Sequence, residues 1–172
     1  MAKASHPTEK PKPASSSKPA ALKHQPRISN RRALHDYHVL ERLEVGIALL
    51  GSEVKSVRKG RVQLAQAFAR IRNGSVMLYG CHIEEYVEAN RFNHDPTRTR
   101  QLLLHRREIR RLEQALKKQP GTTLIPLEMF FSRGFAKVLL ALAIGKQVAD
   151  KRAAIKEREE RRDAERTIRQ RR

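Results

Sequence analysis

The sequence predicts a mainly β fold: a small antiparallel barrel with flanking helices, framed by two basic tails. Three observations carry that expectation. Val45, Ile47 and Leu49 alternate with other residues on one face of the 35–50 run, the period of a half-buried strand. Asn73-Gly74 separates two short apolar runs and supplies the two positive-φ positions of a type I′ hairpin turn. The composition also breaks twice, leaving every Phe and Tyr and seven of the eight glycines between 30 and 144. A chain of 172 residues suffices for one domain with a modest core, plus tails.

Residues 1–28 form the first tail. They are rich in Pro, Ser, Ala and Lys, with one acidic residue (Glu9) and one large aliphatic (Leu22) before position 28. Such a segment buries too little apolar area to offset its chain entropy and is expected to be disordered. The body is assigned to 29–144. After the 35–50 strand comes a short helix over 53–59, ending at Gly60 as a C-terminal glycine. The hairpin over 68–79 follows. A longer helix is expected over 102–119, with Ile109, Leu112 and Leu116 on one face, Arg106, Arg107, Arg110 and Arg111 on the other, and a Pro120-Gly121 stop. A second hairpin covers 122–144 and turns near Ser132-Arg133-Gly134; Pro126 in its first strand requires an edge position or a bulge. Residues 145–172 are the second tail. Its 11 basic and 6 acidic residues leave it at +5, with Glu157 to Arg161 and Glu165 to Arg169 at helix-favouring spacing. It lacks a continuous apolar stripe, so the tail is expected to be unstructured alone and helical against a partner.

Charge narrows the function. The 37 Lys and Arg against 18 Asp and Glu give +19, which calls for a polyanionic partner. No run approaches the ~20 apolar residues of a membrane-spanning helix, and the opening residues lack the apolar stretch of a signal peptide. With Cys81 as the only cysteine no internal disulfide can form, consistent with a reducing cytoplasm. Walker-type loops, GxSxG and HExxH are absent, and the seven histidines show no metal-ligand spacing. Cys81-His82 could assemble a nucleophile site, but a buried, inert cysteine is the simpler expectation. Glu84-Glu85 reads as a solvated loop start. The sequence therefore predicts no enzyme, no cofactor and no metal.

Nucleic-acid chemistry is better supplied. Asn30-Arg31-Arg32 opens the body, and Lys55, Arg58, Lys59 and Arg61 lie on the short helix and its exit. The segment from Arg91 to Arg100 combines Arg91, Arg98 and Arg100 with Phe92, Asn93, His94 and Thr99. Arginine pairs bidentately with phosphate, and aromatic or guanidinium planes stack on unpaired bases, so this interleaving favours structured RNA. Glu53 runs against the trend. It could orient a neighbouring Lys or Arg, accept a hydrogen bond from a base, or serve in structural pairing.

Taken together, five segments resemble a known family. They are Asn30-Arg-Arg-Ala-Leu-His-Asp-Tyr37, Gly51-Ser-Glu-Val-Lys-Ser56, Asn90-Arg-Phe-Asn-His-Asp-Pro-Thr-Arg-Thr-Arg100, Leu102-Leu-Leu-His-Arg-Arg-Glu108 and Asp150-Lys-Arg152. In order and spacing they are similar to the signature segments of the SsrA-binding protein family, SmpB, from residue 30 to about 160. The resemblance implies an OB-type β-barrel with flanking helices that binds the tRNA-like domain of transfer-messenger RNA. It further implies support of that RNA's alanylation, with alanyl-tRNA synthetase as an indirect partner. Delivery with elongation factor Tu to a stalled ribosome would follow, and then tagging of the unfinished peptide. The expected RNA-facing set is Asn30, Arg31, Arg32, His35, Tyr37, Glu53, Lys55, Ser56, Arg58, Arg91, Asn93, Arg98, Thr99, Arg100, Leu103 and His105. Gly145, Lys146, Asp150, Lys151, Arg152, Ile155 and Lys156 are the expected tail residues in the empty messenger channel of the small subunit.

The chain departs from the family in three places. Ala149 precedes Asp150 where some members carry histidine, His105 replaces an asparagine of some relatives, and the extension before Gln25 is longer than the family needs. A ribosome-associated structural protein would share the charge, the barrel and the tails, and is the alternative reading. An RNA-modifying enzyme comes last, because no catalytic constellation is found.

Overall fold

The computed structural model describes residues 26–89 and 93–147, so most of the first tail, the stretch around Arg91 and the tail beyond 147 lie outside the described residues. In chain order the elements are β1 (Ile28–Ser29), α1 (Arg31–Asp36), β2 (Tyr37–Ile47), α2 (Gly51–Arg58), β3 (Val62–Gln63), β4 (Phe68–Arg72), β5 (Ser75–Tyr79), β6 (His82–Ile83), a 3₁₀ turn (Val87–Ala89), β7 (Arg100–Leu103), α3 (Arg106–Lys118), β8 (Thr122–Ser132) and β9 (Phe135–Gly145).

The main sheet runs β1-β8-β4-β5-β7-β2-β9, and β9 pairs back onto β8. The strands therefore close into an OB-like ring, with β1 added on β8 and a separate β3-β6 pair beside it. Closing so few strands demands strong curvature, and two irregularities provide it. Register shifts occur between Val39 and Glu41 on β2 and between Pro126 and Glu128 on β8. Pro126 thus sits in a bulge, as its missing N–H requires, but within a strand that is paired on both sides rather than at an edge.

Parity explains the core. Val45, Ile47, Val76, Leu78, Leu102, Leu124, Met129, Val138 and Leu140 point into the ring, and Ile109 and Leu112 of α3 join the same cluster. Ile125, Leu127, Ala141 and Ala143 point outward, where Ala33 of α1 covers them. With both faces buried, β9 reads as a continuous apolar run rather than an alternating one. Both hairpins turn on two positive-φ residues, Asn73-Gly74 and Arg133-Gly134, as the type I′ geometry demands.

Two expectations are corrected. Residues 102 and 103 belong to β7, because Leu102 fills the ring between β5 and β2, and the helix begins only at Arg106. Glu108 there reaches back to the His105 N–H at 2.7 Å. Residues 31–36 form α1, a helix the periodicity did not show, so His35 is helical and β2 starts at Tyr37.

Asn30 starts that helix and stitches it to the barrel. Its Oδ1 accepts from the Ala33 N–H at 3.1 Å, while Nδ2 donates to Leu64 O at 2.8 Å and Pro126 O at 3.1 Å. Its own N–H donates to Leu127 O at 2.7 Å, filling the stretch of β8 edge between β4 and β1. With only 5% of its surface exposed, Asn30, expected as an RNA contact, has its side-chain groups engaged within the fold. Asn30→Ala should lower stability by about 1–3 kcal/mol, the cost of buried polar groups left unpaired. Asn30→Asp should cost more, since it turns a carboxylate towards two carbonyls. Urea denaturation of both variants measures this; a smaller loss for the aspartate would contradict the assigned bonds.

Candidate nucleic-acid interface

α2 is two turns long and could not persist alone. It is held by its N-terminal end. Glu53 accepts the Leu50 N–H at 2.7 Å, so its carboxylate caps the helix from inside. The same carboxylate receives Arg98 Nε at 2.7 Å, a second contact from Arg98 Nη2, and Arg100 Nε at 2.9 Å. Arg100 is completely buried, and its remaining donors reach Cys81 O, Arg98 O and Pro96 O at 2.5, 3.0 and 3.0 Å. A buried guanidinium is tolerable only with its donors satisfied in this way.

The loop before β7 is tied down by the same logic. Asn93 exchanges hydrogen bonds with both backbone groups of Tyr86, at 3.1 and 3.0 Å. The His94 ring bridges Ser52 Oγ and Ile83 O at 3.0 and 3.2 Å, and Asp95 accepts from the Thr97 N–H and hydroxyl. Sequence composition marks this loop as an RNA contact, but Asn93, His94, Arg98 and Arg100 turn to partners within the fold, while Asp95, Thr97 and Thr99 are exposed. Glu53, Ser56 and Arg100, all expected in the contact set, are fully buried in this structure. Asn93 and Arg98 are half-buried and engaged, leaving Thr99 exposed.

What this lock presents is the outer face of α2. Lys55 and Lys59 lie over the Tyr86 ring at 5.0 and 4.6 Å, and Arg58 lies over Phe131 at 5.5 Å. Lys59 also pairs with Glu88 at 2.8 Å, and Tyr86 donates its hydroxyl to the same carboxylate. The Glu88 contact raises the Lys59 ammonium above its ordinary value, and Lys59 lowers the Glu88 carboxyl in return. Arg31 and Arg32 are exposed on α1, Arg32 at 3.3 Å from Asp36; His35 and Tyr37 are half-buried beside it. Cys81 is buried, and burial pushes its thiol up to about 11, which keeps it protonated and inert.

A second feature lies where β2, β7 and β9 meet the start of α3. Leu103 and His105 line a groove of about 470 Å³ together with Glu44, Gly46, Phe135 and Lys137. Leu103 is 54% exposed and Phe135 72%, an uncommon exposure for large apolar groups in a strand. Gly46 is opposite Leu103 in the ladder, and a Cβ there would come within 3.2 Å of Leu103 Cβ. Lys137 stands 3.5 Å from Glu44. Leu103 and His105 were expected from sequence; Glu44, Phe135 and Lys137 were not, because they join the groove only through strand pairing.

The tail begins as a continuation of β9. Gly145 pairs with Tyr37, and Lys146 turns onto the end of α1, its N–H to Asp36 O at 2.8 Å and its Nζ to Leu34 O at 3.1 Å. A cation at that end of a helix is favourable. Arg91 and the tail residues Asp150, Lys151, Arg152, Ile155 and Lys156 lie outside the described residues.

The Glu53 cluster carries a pH signature. Burial pushes its carboxyl up, but hydrogen bonds from Arg98 and the Leu50 N–H and the charge of Arg100 outweigh it, leaving the group below its ordinary value of 4.5. Its contribution is therefore complete above 4.5 and is lost as pH falls through the lowered folded-state value. Glu53→Gln should destabilise by about 3–5 kcal/mol at neutral pH, the cost of stranding a buried partner charge. It should also flatten the acid limb of a stability–pH profile. An acid limb as steep as in the unsubstituted protein would show that other carboxylates govern it.

Comparison with known proteins covers this same body. The SmpB protein family model matches residues 27–170. An SsrA-binding protein of Levilactobacillus brevis is 56% identical over 139 residues, covering 81% of this chain and 88% of that one. One from Carboxydothermus hydrogenoformans is 51% identical over 142 residues, 83% of this chain and 95% of the relative. A solved chain described under "tmRNA-SmpB: a journey to the center of the bacterial ribosome" superposes with a TM-score of 0.61 at 48% identity, covering 72% of this chain and 86% of that chain. The family model spans most of the chain and the relatives are about half identical to it, so the chain belongs to the SmpB protein family.

Proposed function

We propose that this protein binds the tRNA-like domain of transfer-messenger RNA and brings it to stalled ribosomes. One observation carries the reading: the exposed Leu103 and His105 share a groove with Phe135, Glu44 and Lys137, directly beside the arginine-bearing face of α3. The exposed Phe135 offers a flat ring to an unstacked base, and the exposed Leu103 an apolar contact beside it. Glu44 can accept from a base amino group, and Lys137 and the α3 arginines can meet phosphate. The relatives' name and the ribosomal setting of the solved neighbour point to the same RNA. Lys55 and Arg58 on α2 and Arg31 on α1 extend the basic surface around it, as sequence-independent phosphate contacts.

The finer steps belong to the same proposal. The protein supports alanylation of the RNA, acts with elongation factor Tu through the RNA complex, and works in the cytoplasm. The body of 29–144 holds the RNA, while the 145–172 tail enters the empty messenger channel and becomes helical there. Lys146 is already engaged with α1, so it contributes to where the tail leaves the barrel rather than to phosphate contact further along.

Competition at near-physiological salt tests the RNA reading. Labelled tRNA-like domain, bound to the full chain, should survive a large excess of ordinary tRNA, and Leu103→Ala should weaken it about fivefold or more, within the range for one lost apolar side-chain contact. Equal displacement by ordinary tRNA would leave only indiscriminate charge and favour the ribosomal-component reading. Truncation after residue 147 should leave RNA affinity within about twofold but abolish peptide tagging in a reconstituted stalled-ribosome assay, since tail charges beyond the barrel add only to the salt-dependent term. A large affinity loss on truncation would refute this division between body and tail.

A further inference from the structure

The outer face of the β4–β5 hairpin carries a different set of side chains. Alternate residues of a strand point the same way, so Phe68 and Arg70 share a face with Tyr79, which stands opposite Phe68 in the ladder. The Phe68 and Tyr79 rings stack with centroids 5.5 Å apart and planes 19° from parallel. The Arg70 guanidinium lies 5.1 Å over Phe68. α1 stands across from this face, and between them is a cleft of about 420 Å³ lined by Arg32, Asp36, Tyr37, Gln66, Phe68 and Arg70. That is within the span of about 300–1,000 Å³ that small-ligand sites occupy.

The cleft is built of groups that suit one nucleotide. Arg70 has no carboxylate partner among the described residues, so its charge is available to an anion. Arg32 meets Asp36 at 3.3 Å in an exposed i,i+4 pair, a contact of little strength in water that a phosphate can displace. Two guanidiniums against one carboxylate leave the cleft cationic. The Asp36 carboxylate, shared with His35, can accept from an exocyclic amino group of a base. The rings of Tyr37 and Phe68 supply the stacking surface, which every base can use.

We propose that this cleft holds an unpaired nucleotide of an RNA strand, with the base against Tyr37 or Phe68 and the phosphate on Arg70 and Arg32. It rests on the RNA-binding reading above, but it concerns another face of the ring. β4 is separated from β2 and β9, which build the Leu103 groove, by β5 and β7 on one side and β8 on the other.

The test uses the full chain and a fluorescein-labelled ten-nucleotide oligoadenylate, with an abasic strand of equal length as its partner probe, at near-physiological salt. Phe68→Leu should weaken oligoadenylate binding about fivefold or more, as loss of one stacked base predicts, and Arg70→Gln should weaken it about fivefold or more, as loss of a charge-assisted hydrogen bond to phosphate predicts. Lys118→Gln, at an exposed lysine that ends α3 and lines neither the cleft nor the Leu103 groove, should change it less than about twofold, as expected for one screened cation. The abasic strand should bind the unsubstituted protein no better than oligoadenylate binds Arg70→Gln. Equal losses for Arg70→Gln and Lys118→Gln, or an abasic strand that binds as tightly as oligoadenylate, would overturn the proposal. Arg70 is exposed and Phe68→Leu keeps an apolar side chain, so both variants should keep the thermal transition of the parent, and a scan confirms that binding is being compared between folded proteins. The tRNA competition involves neither probe, so the two readings can fail separately.

Discussion

Glu53 and Arg100 meet with neither side chain reaching solvent, and the segments around them depend on that contact. The carboxylate caps α2, draws in Arg98 from the loop, and fixes Arg100 at the start of β7. Arg100 in turn gathers the carbonyls of Cys81, Pro96 and Arg98, joining α2, the residue before β6 and the loop before β7. A buried ion pair of this kind contributes little net stability over an apolar replacement, because desolvating two charges costs almost what their attraction returns. What it supplies here is direction: acceptors and donors match in one arrangement only. The orientation of α2, and with it the placement of Lys55, Arg58 and Lys59 over their aromatic neighbours, follows from that match.

The consequence is an inversion of the usual surface. In the loop that reads as the richest RNA contact, Asn93, His94, Arg98 and Arg100 turn inward to complete hydrogen bonds, while at the β2–β7–β9 junction Leu103 and Phe135 turn outward. Exposed apolar groups beside Lys137 and the α3 arginines make a surface suited to bases as well as phosphates. Diffuse positive charge attracts any nucleic acid; shape and stacking groups set the preference among them. In the proposed function the +19 of the chain therefore acts at encounter and the groove in discrimination.

α1 has an equally indirect role. Asn30 sews its start to β8 and to Leu64, Ala33 covers the outer face of the barrel, and its end receives Lys146 at the point where the tail departs. A six-residue helix with few apolar contacts of its own thus joins the first strand, the back of the ring and the exit of the tail. It also walls the cleft against Phe68 and Arg70.

Much of this was legible in the sequence. The Asn-Gly and Arg-Gly turns declare themselves locally, because only residues tolerant of positive φ close a tight hairpin. The bulge at Pro126 follows from a missing N–H, and the buried thiol of Cys81 from its place beside a strand. The five signature segments determined the family before any coordinates. Helix α1 was hidden because six residues carry too short a period to distinguish from strand, and β7 because Leu102-Leu-Leu suits either structure. The roles of Glu53, Asn93, Arg98 and Arg100 could not be read from their chemistry, since a guanidinium serves a phosphate or a buried carboxylate equally well. Pairing across the ring alone decided which they would meet, and it alone brought Glu44, Phe135 and Lys137 to Leu103 and His105 from distant parts of the chain.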